Sequence, residues 1–581
     1  MAERDVERRP PSAEPWRPLH VALLAPPYFG HMAPMAALGQ RLQSSGWRVS
    51  IYTDPEFAHH IPEGVEHVPI ALPVGPASSS SSAVARFRDD WREMAHVDHN
   101  GTMAMDFAYQ FAMVTKERRD GSCKLEDYHA FVAICMDHMR SEPPDCVLAD
   151  FICFVPQEAG WLRVFCEERS IAILRLNSQA QPDMLVGNNL FRILYLAFAK
   201  GLFRQMVGSD SLSRMPQVMA RSTKMMEDRG YRNDPTASRP FTLFSDGNRL
   251  PHTIFPTVPS LFFDRWEEGE PARIESWMSL VGPLVRSDPG SAALRDEAPE
   301  LADWLEGGDC PCVYVSFGTL VTLSSDFVSR LCAALLPQGH LDAPSSASWR
   351  VLWSLRREFW DLVPDAARES GLLRLEPFVP QEQVLQTEQV CMMVSHHGQN
   401  STTECLVAGK PMVGLPFFTD QHHWARVVER SGASIRLDKS TPSSAILQAI
   451  EEILANPQYT KAAQKLSAEL RSGRPAAEQI SDSLQAAVSR EVAKRTAAAQ
   501  PGPGRAAPAG GVARVGQPRQ HPGALAAALL TALLLRRALR ARRPTPASLL
   551  SMLGALALLG HALNVRGQLA SLLRSLLARG K

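Results

Sequence analysis

The apolar positions near the start of the chain follow two different periods. Residues 19–25 form an apolar run that ends at two prolines, which is typical of a buried parallel strand. Residues 32–43 repeat apolar side chains at helical spacing, and residues 47–53 form another strand candidate. A strand, a helix and a strand within about 35 residues predict the βαβ unit of a doubly wound sheet.

The second half of the chain repeats this pattern. Its apolar runs are each short enough for a strand and lie at 313–317, 351–355, 372–376, 390–395 and 411–416. Helical stretches separate several of these runs. The sequence therefore predicts an α/β protein with two Rossmann-like, doubly wound domains over 19–283 and 311–495. A polar segment at 284–310 would link them.

Length and composition limit the class of protein. A chain of 581 residues is too long for one compact domain, and two or three are expected. Hydrophobic residues make up 45% and charged residues 21%, which excludes a wholly disordered or fibrous chain. Residues 1–18 have no apolar core, so we expect a disordered segment and no secretory signal. The scattered cysteines form no disulfide framework, which favours a cytosolic body.

The charges are divided unevenly along the chain, although the formal net charge is zero. Residues 501–581 contain 12 Lys or Arg and no Asp or Glu, so residues 1–500 carry a net charge of −12. An acidic body does not suit nucleic acid, and we expect no such partner. The basic segment suits an anionic surface such as a lipid leaflet.

Hydrophobic patterning divides the end of the chain further. Residues 496–522 are rich in Pro, Gly and Ala and predict a flexible linker. Within 523–581, residues 544–565 are uncharged and about long enough to span a bilayer. We predict a basic, apolar helical tail that associates the body with a membrane surface. The alternative is an Ala- and Leu-rich helical pair that packs on the body or on a partner.

One block carries a specific motif. Residues 378–421 read FVPQEQVLQTEQVCMMVSHHGQNSTTECLVAGKPMVGLPFFTDQ. The fixed groups are Phe-Val-Pro-Gln, His-x-Gly-x-Asn-Ser-x-x-Glu, Gly-Lys-Pro-Met and Asp-Gln. This block resembles the donor-binding signature of the UDP-dependent glycosyltransferases, which include plant secondary-product, animal UDP-glucuronosyl and bacterial macrolide enzymes.

Short motifs outside the block support the resemblance. They are Gly30-His31-x-x-Pro34 after the first strand, Val281-Gly282-Pro283 between the halves, and Ser316-Phe317-Gly318-Thr319 after the first strand of the second half. The resemblance covers about residues 19–490. It implies the GT-B fold, in which two Rossmann-like domains face each other across a cleft.

Two residues are candidates for the catalytic chemistry. An acceptor hydroxyl is a weak nucleophile and needs a general base near neutral pH, for which histidine is suited. By the resemblance, His31 is that base and Asp150, which follows the strand candidate at 146–149, holds and orients it. The alternatives are a structural histidine and an aspartate that caps a helix N-terminus.

The resemblance also implies which residues bind the donor. Diphosphate oxygens suit backbone amides at a helix N-terminus together with hydroxyl and imidazole donors. The implied diphosphate ligands are Thr319, His396, Gly398, Asn400 and Ser401. The resemblance also implies that Phe378 stacks on uracil with Gln381 close by, that Glu404 binds ribose, and that Asp420 and Gln421 bind the sugar. Val379 is a further donor-binding candidate. For each residue, ordinary capping or packing is the alternative.

Four positions depart from the family pattern and bear on the choice of sugar. Phe378 stands where Trp is common, which should weaken stacking on uracil but keep a π-face. His397 replaces a small residue beside the phosphates and would add a charge or crowd the site. Gln399 fills a position where plant members mostly carry Trp, and Trp424 stands where Asn is frequent at the sugar end.

The sequence thus predicts an inverting transfer of a hexose from a UDP-sugar, UDP-glucose being favoured over UDP-glucuronate, to a small lipophilic acceptor. Because no Asp-x-Asp motif stands out, we expect metal-independent catalysis without a cofactor, the UDP-sugar being a co-substrate. The Met- and Phe-rich stretch at 94–114 is either core or part of an apolar ligand pocket. The alternatives are a membrane-lipid or sterol glycosyltransferase and a nucleotide-sugar-binding sensor or scaffold.

Overall fold

The computed structural model describes residues 17–73, 82–94, 116–118, 120–154, 160–177, 214, 217–233, 251–262, 274, 276–285 and 291–499. The predicted tail at 523–581 and nearly all of the Met- and Phe-rich stretch lie outside these residues. None of the helices within them is long and apolar enough to cross a membrane.

Seven parallel strands form the first sheet. They are β1 (His20–Leu24), β2 (Arg48–Thr53), β3 (Glu66–Pro69), β4 (Cys146–Asp150), β5 (Ala172–Leu176), β6 (Thr253–Phe255) and β7 (Met278–Leu280). Helices of this half include α1 (Phe29–Ser44), α2 (Ala83–Met94), α3 (Lys124–Ser141) and α4 (Gly160–Arg169). The strands lie in the order β3-β2-β1-β4-β5-β6-β7. The strand order therefore reverses between β1 and β4, where open α/β sheets bind ligands.

Six parallel strands form the second sheet, in the order β10-β9-β8-β11-β12-β13. They are β8 (Cys312–Ser316), β9 (Arg350–Ser354), β10 (Leu373–Glu376), β11 (Val390–Ser395), β12 (Met412–Gly414) and β13 (Ser434–Arg436). The order of the strands reverses between β8 and β11. The predicted fold, with two doubly wound α/β domains, is confirmed.

The second half of the chain also contains a series of helices. They are α5 (Ser291–Glu297), α6 (Pro299–Glu306), α7 (Ser325–Leu335), α8 (Gln338–Asp342), α9 (Asp365–Glu369), α10 (Gln381–Gln386), α11 (Gln399–Val407), α12 (Asp420–Arg430), α13 (Ser443–Ala455), α14 (Pro457–Ser472) and α15 (Ala476–Ala499). Val313 and Val315 of β8 belong to one buried core, and Cys312 and Tyr314 belong to another. The strand is thus apolar on both faces, as a covered parallel sheet requires.

The segment predicted as a polar linker, 284–310, contains two of these helices. Leu294 of α5 and Leu301 and Leu305 of α6 are buried in the same core as Tyr314 of β8. Their spacing places three apolar side chains toward the sheet in an otherwise polar sequence. The helices therefore pack on the second sheet.

The last described helix, α15, returns to the first sheet. Ile480 and Leu484 are buried in the core that contains Val21 and Leu23 of β1. The indole Nε1 of Trp47 donates a hydrogen bond to Ser481 Oγ at 3.0 Å. Helix α15 therefore packs with the first domain, although the sequence analysis placed residues up to 495 with the second.

This packing predicts that α15 stabilises the first domain. Leu484 is fully buried, so Leu484→Ala should lower the free energy of unfolding by about 2–5 kcal/mol through lost burial and the cavity left behind. Urea unfolding of the full chain, followed by tryptophan fluorescence, measures the change. Gln485→Ala, on the exposed side of the same helix, is the control and should change it by less than about 0.5 kcal/mol. Equal effects of the two substitutions would contradict the packing of α15.

Candidate active site

His31 and Asp150 meet at the switch point of the first sheet. His31 lies in the first turn of α1, which begins soon after β1, and Asp150 is the last residue of β4. Because β1 and β4 are parallel neighbours, their carboxyl ends bring the two residues to the same edge. His31 Nδ1 lies 2.9 Å from Asp150 Oδ2.

Asp150 makes contacts of both kinds that the sequence left open, one to His31 and one to the backbone at a helix start. While Oδ2 pairs with His31, Oδ1 accepts a hydrogen bond from the backbone N–H of Ile152 at 2.9 Å. This second contact caps the 3-10 helix Phe151–Phe154. Since an ionised carboxylate only accepts hydrogen bonds, His31 Nδ1 carries the proton and Nε2 is the basic nitrogen. The arrangement can therefore take a proton at Nε2.

Aromatic side chains surround the base. The His31 ring lies 5.4 Å from the ring of Tyr28 and 5.6 Å from that of Phe151, between ring centroids. The Tyr28 hydroxyl is within 2.8 Å of the Tyr128 hydroxyl and is buried. The His31 side chain is 15% exposed. The base is thus held in an apolar wall with only a small part of it open to a reactant.

The N-terminus of α11 faces the corresponding edge of the second sheet. Strand β11 ends at Ser395, and Gly398 is the N-cap of α11. The backbone N–H groups of the first turn of a helix have no intrahelical partners and attract anions. Asn400 and Ser401 lie in this first turn, as the predicted diphosphate site requires.

His396 is enclosed by the backbones of two glycines. A Cβ atom on Gly398 would lie 2.5 Å from His396 Nε2, and one on Gly318 would lie 2.8 Å from it. Gly318 also has a φ of +68°, which favours glycine. Burial lowers the pKa of His396 to about 4, so this imidazole is neutral near pH 7. Thr319 follows Gly318 in the same loop and is exposed.

His397 packs into the body of the second domain. It adopts a φ of +58°, and its Nδ1 lies 3.2 Å from Thr402 Oγ1. A Cβ on Gly414 of β12 would lie 2.2 Å from the His397 ring, so Gly414 leaves the space that the imidazole fills. Nε2 has no hydrogen-bond partner among the described residues. Burial lowers the pKa of His397 to about 3, and His397 therefore adds no charge near neutral pH.

Glu404, the candidate for ribose, belongs to a short chain of hydrogen bonds with two other donor-binding candidates. Gln381 Nε2 donates to Glu404 Oε2 at 2.5 Å and to Ser401 Oγ at 3.1 Å. The buried Tyr314 hydroxyl donates to Gln381 Oε1 at 2.9 Å, which fixes the orientation of the amide. Tyr314 was not predicted from the sequence. Its signal was a hydroxyl in a strand buried on both faces, where a polar group needs a partner.

The neighbouring donor-binding candidates Phe378 and Val379 occupy different environments. Phe378 is 56% exposed, and its ring lies 6.0 Å from that of Phe29 and 6.2 Å from that of His60. Both neighbours belong to the first domain and were not identified from the sequence. Val379 is buried in the core of the second domain. The exposed ring of Phe378 thus lies at the domain boundary, whereas the Val379 side chain packs in the core of the second domain.

The sugar-binding candidates already have contacts to the backbone. Gln421 Oε1 accepts hydrogen bonds from the N–H groups of Phe417 and Phe418, at 2.9 and 3.2 Å. Asp420 Oδ2 accepts from the N–H of Gln399 at 3.4 Å, at the start of α11. Trp424, placed at the sugar end by the sequence analysis, is fully buried in a core cluster. It lies one turn further along α12, on the face that packs inward.

The two domains meet between the base and the start of α11. Asn400 Nδ2 donates a hydrogen bond to the carbonyl oxygen of Gly30 at 2.8 Å. At the other side of the interface, Trp91 of α2 stacks on Phe418, with ring centroids 4.6 Å apart. The structure therefore brings the two sets of predicted residues to one interdomain boundary. Within the described residues, no group of three or more His, Cys, Asp or Glu side chains could hold a metal ion.

Comparisons with known proteins agree with the motifs. A family model described as "UDP-glucoronosyl and UDP-glucosyl transferase" matches residues 291–478. UDP-glycosyltransferase 74C1 of Arabidopsis thaliana is 33% identical over 204 residues, which are 33% of this chain and 38% of that protein. Myricetin 3-O-rhamnoside 1,2-glucosyltransferase UGT709G2 of Crocosmia x crocosmiiflora is 24% identical over 419 residues, which are 69% of this chain and 80% of that protein.

A solved structure matches over a longer part of the chain. The glycotransferase of kitacinnamycin has a TM-score of 0.54 and 19% identity, and the match covers 82% of this chain and 99% of that structure. At this identity the likeness concerns the fold. The chain spans 38% and 34% of the length of the first two curated relatives that it matches.

The two buried histidines predict a loss of stability in acid. An unfolded histidine binds a proton below its ordinary pKa of 6.5, whereas His396 and His397 stay neutral in the fold down to about pH 4 and 3. The free energy of unfolding should therefore fall as pH is lowered below about 6.5, by up to about 1.4 kcal/mol per pH unit for each histidine. Urea unfolding between pH 7 and 4 measures this slope.

A substitution of His397 measures how much this residue contributes to the pH dependence of the free energy of unfolding. Glycine suits the positive φ at this position, so His397→Gly should give a shallower dependence on pH, whatever its effect on absolute stability. His59→Gln, at an exposed histidine, is the control and should keep the slope of the unsubstituted protein. An unchanged slope in His397→Gly would show that its imidazole is not buried in the neutral form.

Proposed function

The chain belongs to the UDP-glycosyltransferase superfamily, and we propose that it transfers a hexose from a UDP-sugar to a hydroxyl of a small lipophilic acceptor. The observation that carries this proposal is the His31–Asp150 pair, held at 2.9 Å at the switch point of the first sheet. Its placement beside the interdomain boundary puts a base opposite the start of α11.

His31 acts in this proposal as the general base. As the acceptor oxygen attacks the anomeric carbon of the donor, its proton passes to His31 Nε2. The bond between that carbon and the diphosphate oxygen breaks, and UDP leaves with the electron pair. Asp150 stabilises the imidazolium that forms. A single displacement of this kind inverts the configuration at the anomeric carbon.

The second domain stabilises the leaving group. Negative charge grows on the diphosphate as the sugar bond breaks, and backbone N–H groups at the start of α11 are oriented to receive it. His396, neutral because it is buried, contributes a hydrogen bond and no net charge. These groups are fixed by the fold before the reaction begins, so little reorganisation is needed in the transition state.

UDP-glucose is the proposed donor, and the acceptor is proposed to be apolar around its reacting hydroxyl. The name of the Crocosmia relative describes a glucosyltransferase, which supports glucose. The aromatic rings of Tyr28 and Phe151 beside His31 favour an acceptor that can pack against them. Association of the C-terminal tail with a membrane stays a prediction.

His31→Ala should lower the rate of acceptor-dependent UDP release by about 10²–10⁴-fold, because the acceptor loses its base. The assay uses the full chain, UDP-glucose and a pooled panel of sterols, flavonoids and lipid alcohols. UDP binding, measured by calorimetry, should be almost unchanged because the base acts on the acceptor. His59→Ala, an exposed histidine of the same domain, is the control. Transfer by His31→Ala at more than about a tenth of the normal rate would mean that another group is the base.

Glu404→Ala should weaken the binding of UDP by about 1–3 kcal/mol, because hydrogen bonds from ribose to a carboxylate are lost. Glu404→Gln keeps the side-chain length and one acceptor oxygen, so its loss should be smaller. Calorimetry measures the affinity of both variants for UDP. Pyrophosphate, which lacks the uridine, is the comparison ligand and should bind both variants and the unsubstituted protein equally. Equal UDP affinity in Glu404→Ala and in the unsubstituted protein would contradict the ribose assignment.

A further inference from the structure

Helix α1 contains a proline at a position where the backbone N–H would normally donate a hydrogen bond within the helix. In an α-helix the N–H of residue 34 pairs with the carbonyl of residue 30. Pro34 lies inside α1, has no N–H, and its ring crowds the carbonyl four residues earlier. The Gly30 carbonyl therefore has no backbone donor at position 34. Gly30 is the residue immediately before His31.

The second domain supplies a donor to this carbonyl. Asn400 Nδ2 lies 2.8 Å from Gly30 O, although the residues are 370 positions apart. Asn400 is the second residue of α11, so the contact joins the first turns of two helices. The two residues are close enough that a Cβ on Gly30 would be in ordinary van der Waals contact with Asn400 Nδ2, at 3.8 Å.

The domains are also held together elsewhere. Trp91 stacks on Phe418, and the Arg92 guanidinium lies 3.2 Å from the Glu358 carboxylate. These contacts involve α2, whereas the turn that carries His31 meets the second domain through the hydrogen bond at Gly30 and the ring contact between Phe29 and Phe378. Losing the single hydrogen bond at Gly30 should therefore change the alignment of that turn with α11 more than the association of the domains.

The geometry points to Pro34 and Asn400 as a pair of positioning residues that set the base against the donor site. Pro34 leaves the Gly30 carbonyl available, and Asn400 holds it, so His31 is fixed relative to the N-terminus of α11. This inference rests on the proposed function, in which α11 receives the diphosphate and His31 the acceptor proton. An amide nitrogen carries two hydrogens, so Asn400 can hold Gly30 with one and still offer the other to the diphosphate.

Pro34→Ala tests the pair without touching the donor site. The new N–H at position 34 can pair with the Gly30 carbonyl inside α1 and draw it away from Asn400. We expect kcat for UDP release to fall about three- to tenfold, the scale of one hydrogen bond, with the Kd of UDP unchanged. Pro457→Ala is the matched control, because Pro457 is exposed and stands at the first position of α14, where no N–H is required.

A double-substitution cycle separates positioning from a purely structural role of the proline. If both residues act through the Gly30 carbonyl, Pro34→Ala should lower kcat in the unsubstituted protein and change it little in Asn400→Ala. Additive losses in kcat, or a weaker Kd for UDP in Pro34→Ala, would overturn the inference.

Hydrogen exchange provides a readout that does not depend on activity. Asn400→Ala should increase deuterium uptake over residues 29–32, because the first turn of α1 loses its anchor, whereas Pro457→Ala should not. Unchanged uptake would overturn the inference even if kcat falls. If the unsubstituted protein releases no UDP with any donor or acceptor, the proposed function fails, while the exchange experiment still decides whether Asn400 anchors the turn.

Discussion

Asp150 is fully buried at the end of a central strand, and a carboxylate in that position needs partners for both oxygens. One oxygen receives the N–H of Ile152 and the other receives His31 Nδ1. The carboxylate thereby fixes the turn after β4, the tautomer of His31 and the first turn of α1 together. The geometry of the His31–Asp150 pair depends on this one buried side chain and on the parallel pairing of β1 with β4.

The second domain meets a different constraint, which is the close packing of two consecutive histidines. Gly318 and Gly398 admit the ring of His396, and Gly414 admits that of His397. A side chain at any of the three glycines would displace an imidazole from the site. Both rings are neutral in the fold because burial disfavours the charged form. Electrostatic stabilisation of the diphosphate is thus assigned to oriented dipoles rather than to histidine cations.

The alignment of the two domains depends on contacts between residues that are far apart in the sequence. Helix α15 comes after the second sheet in sequence but packs on the first one, so the chain crosses the boundary twice. The link between Gly30 and Asn400 lies where the two halves of the site meet. A reaction that requires an acceptor from one domain and a donor from the other depends on this alignment.

The sequence by itself determined the local elements and the positions of the motifs. The runs at 19–25 and 390–395 became β1 and β11 because a buried parallel strand needs a short continuous apolar segment. The sequence placed Gly398 and Asn400 between the strand at 390–395 and a helix, and in the structure that helix begins at Gln399. What only the tertiary structure decided were the contacts across long separations, such as His31 with Asp150, 119 residues apart. It also decided that Trp424 and His397 pack inward, because the direction of a side chain depends on which face of its element the rest of the chain covers.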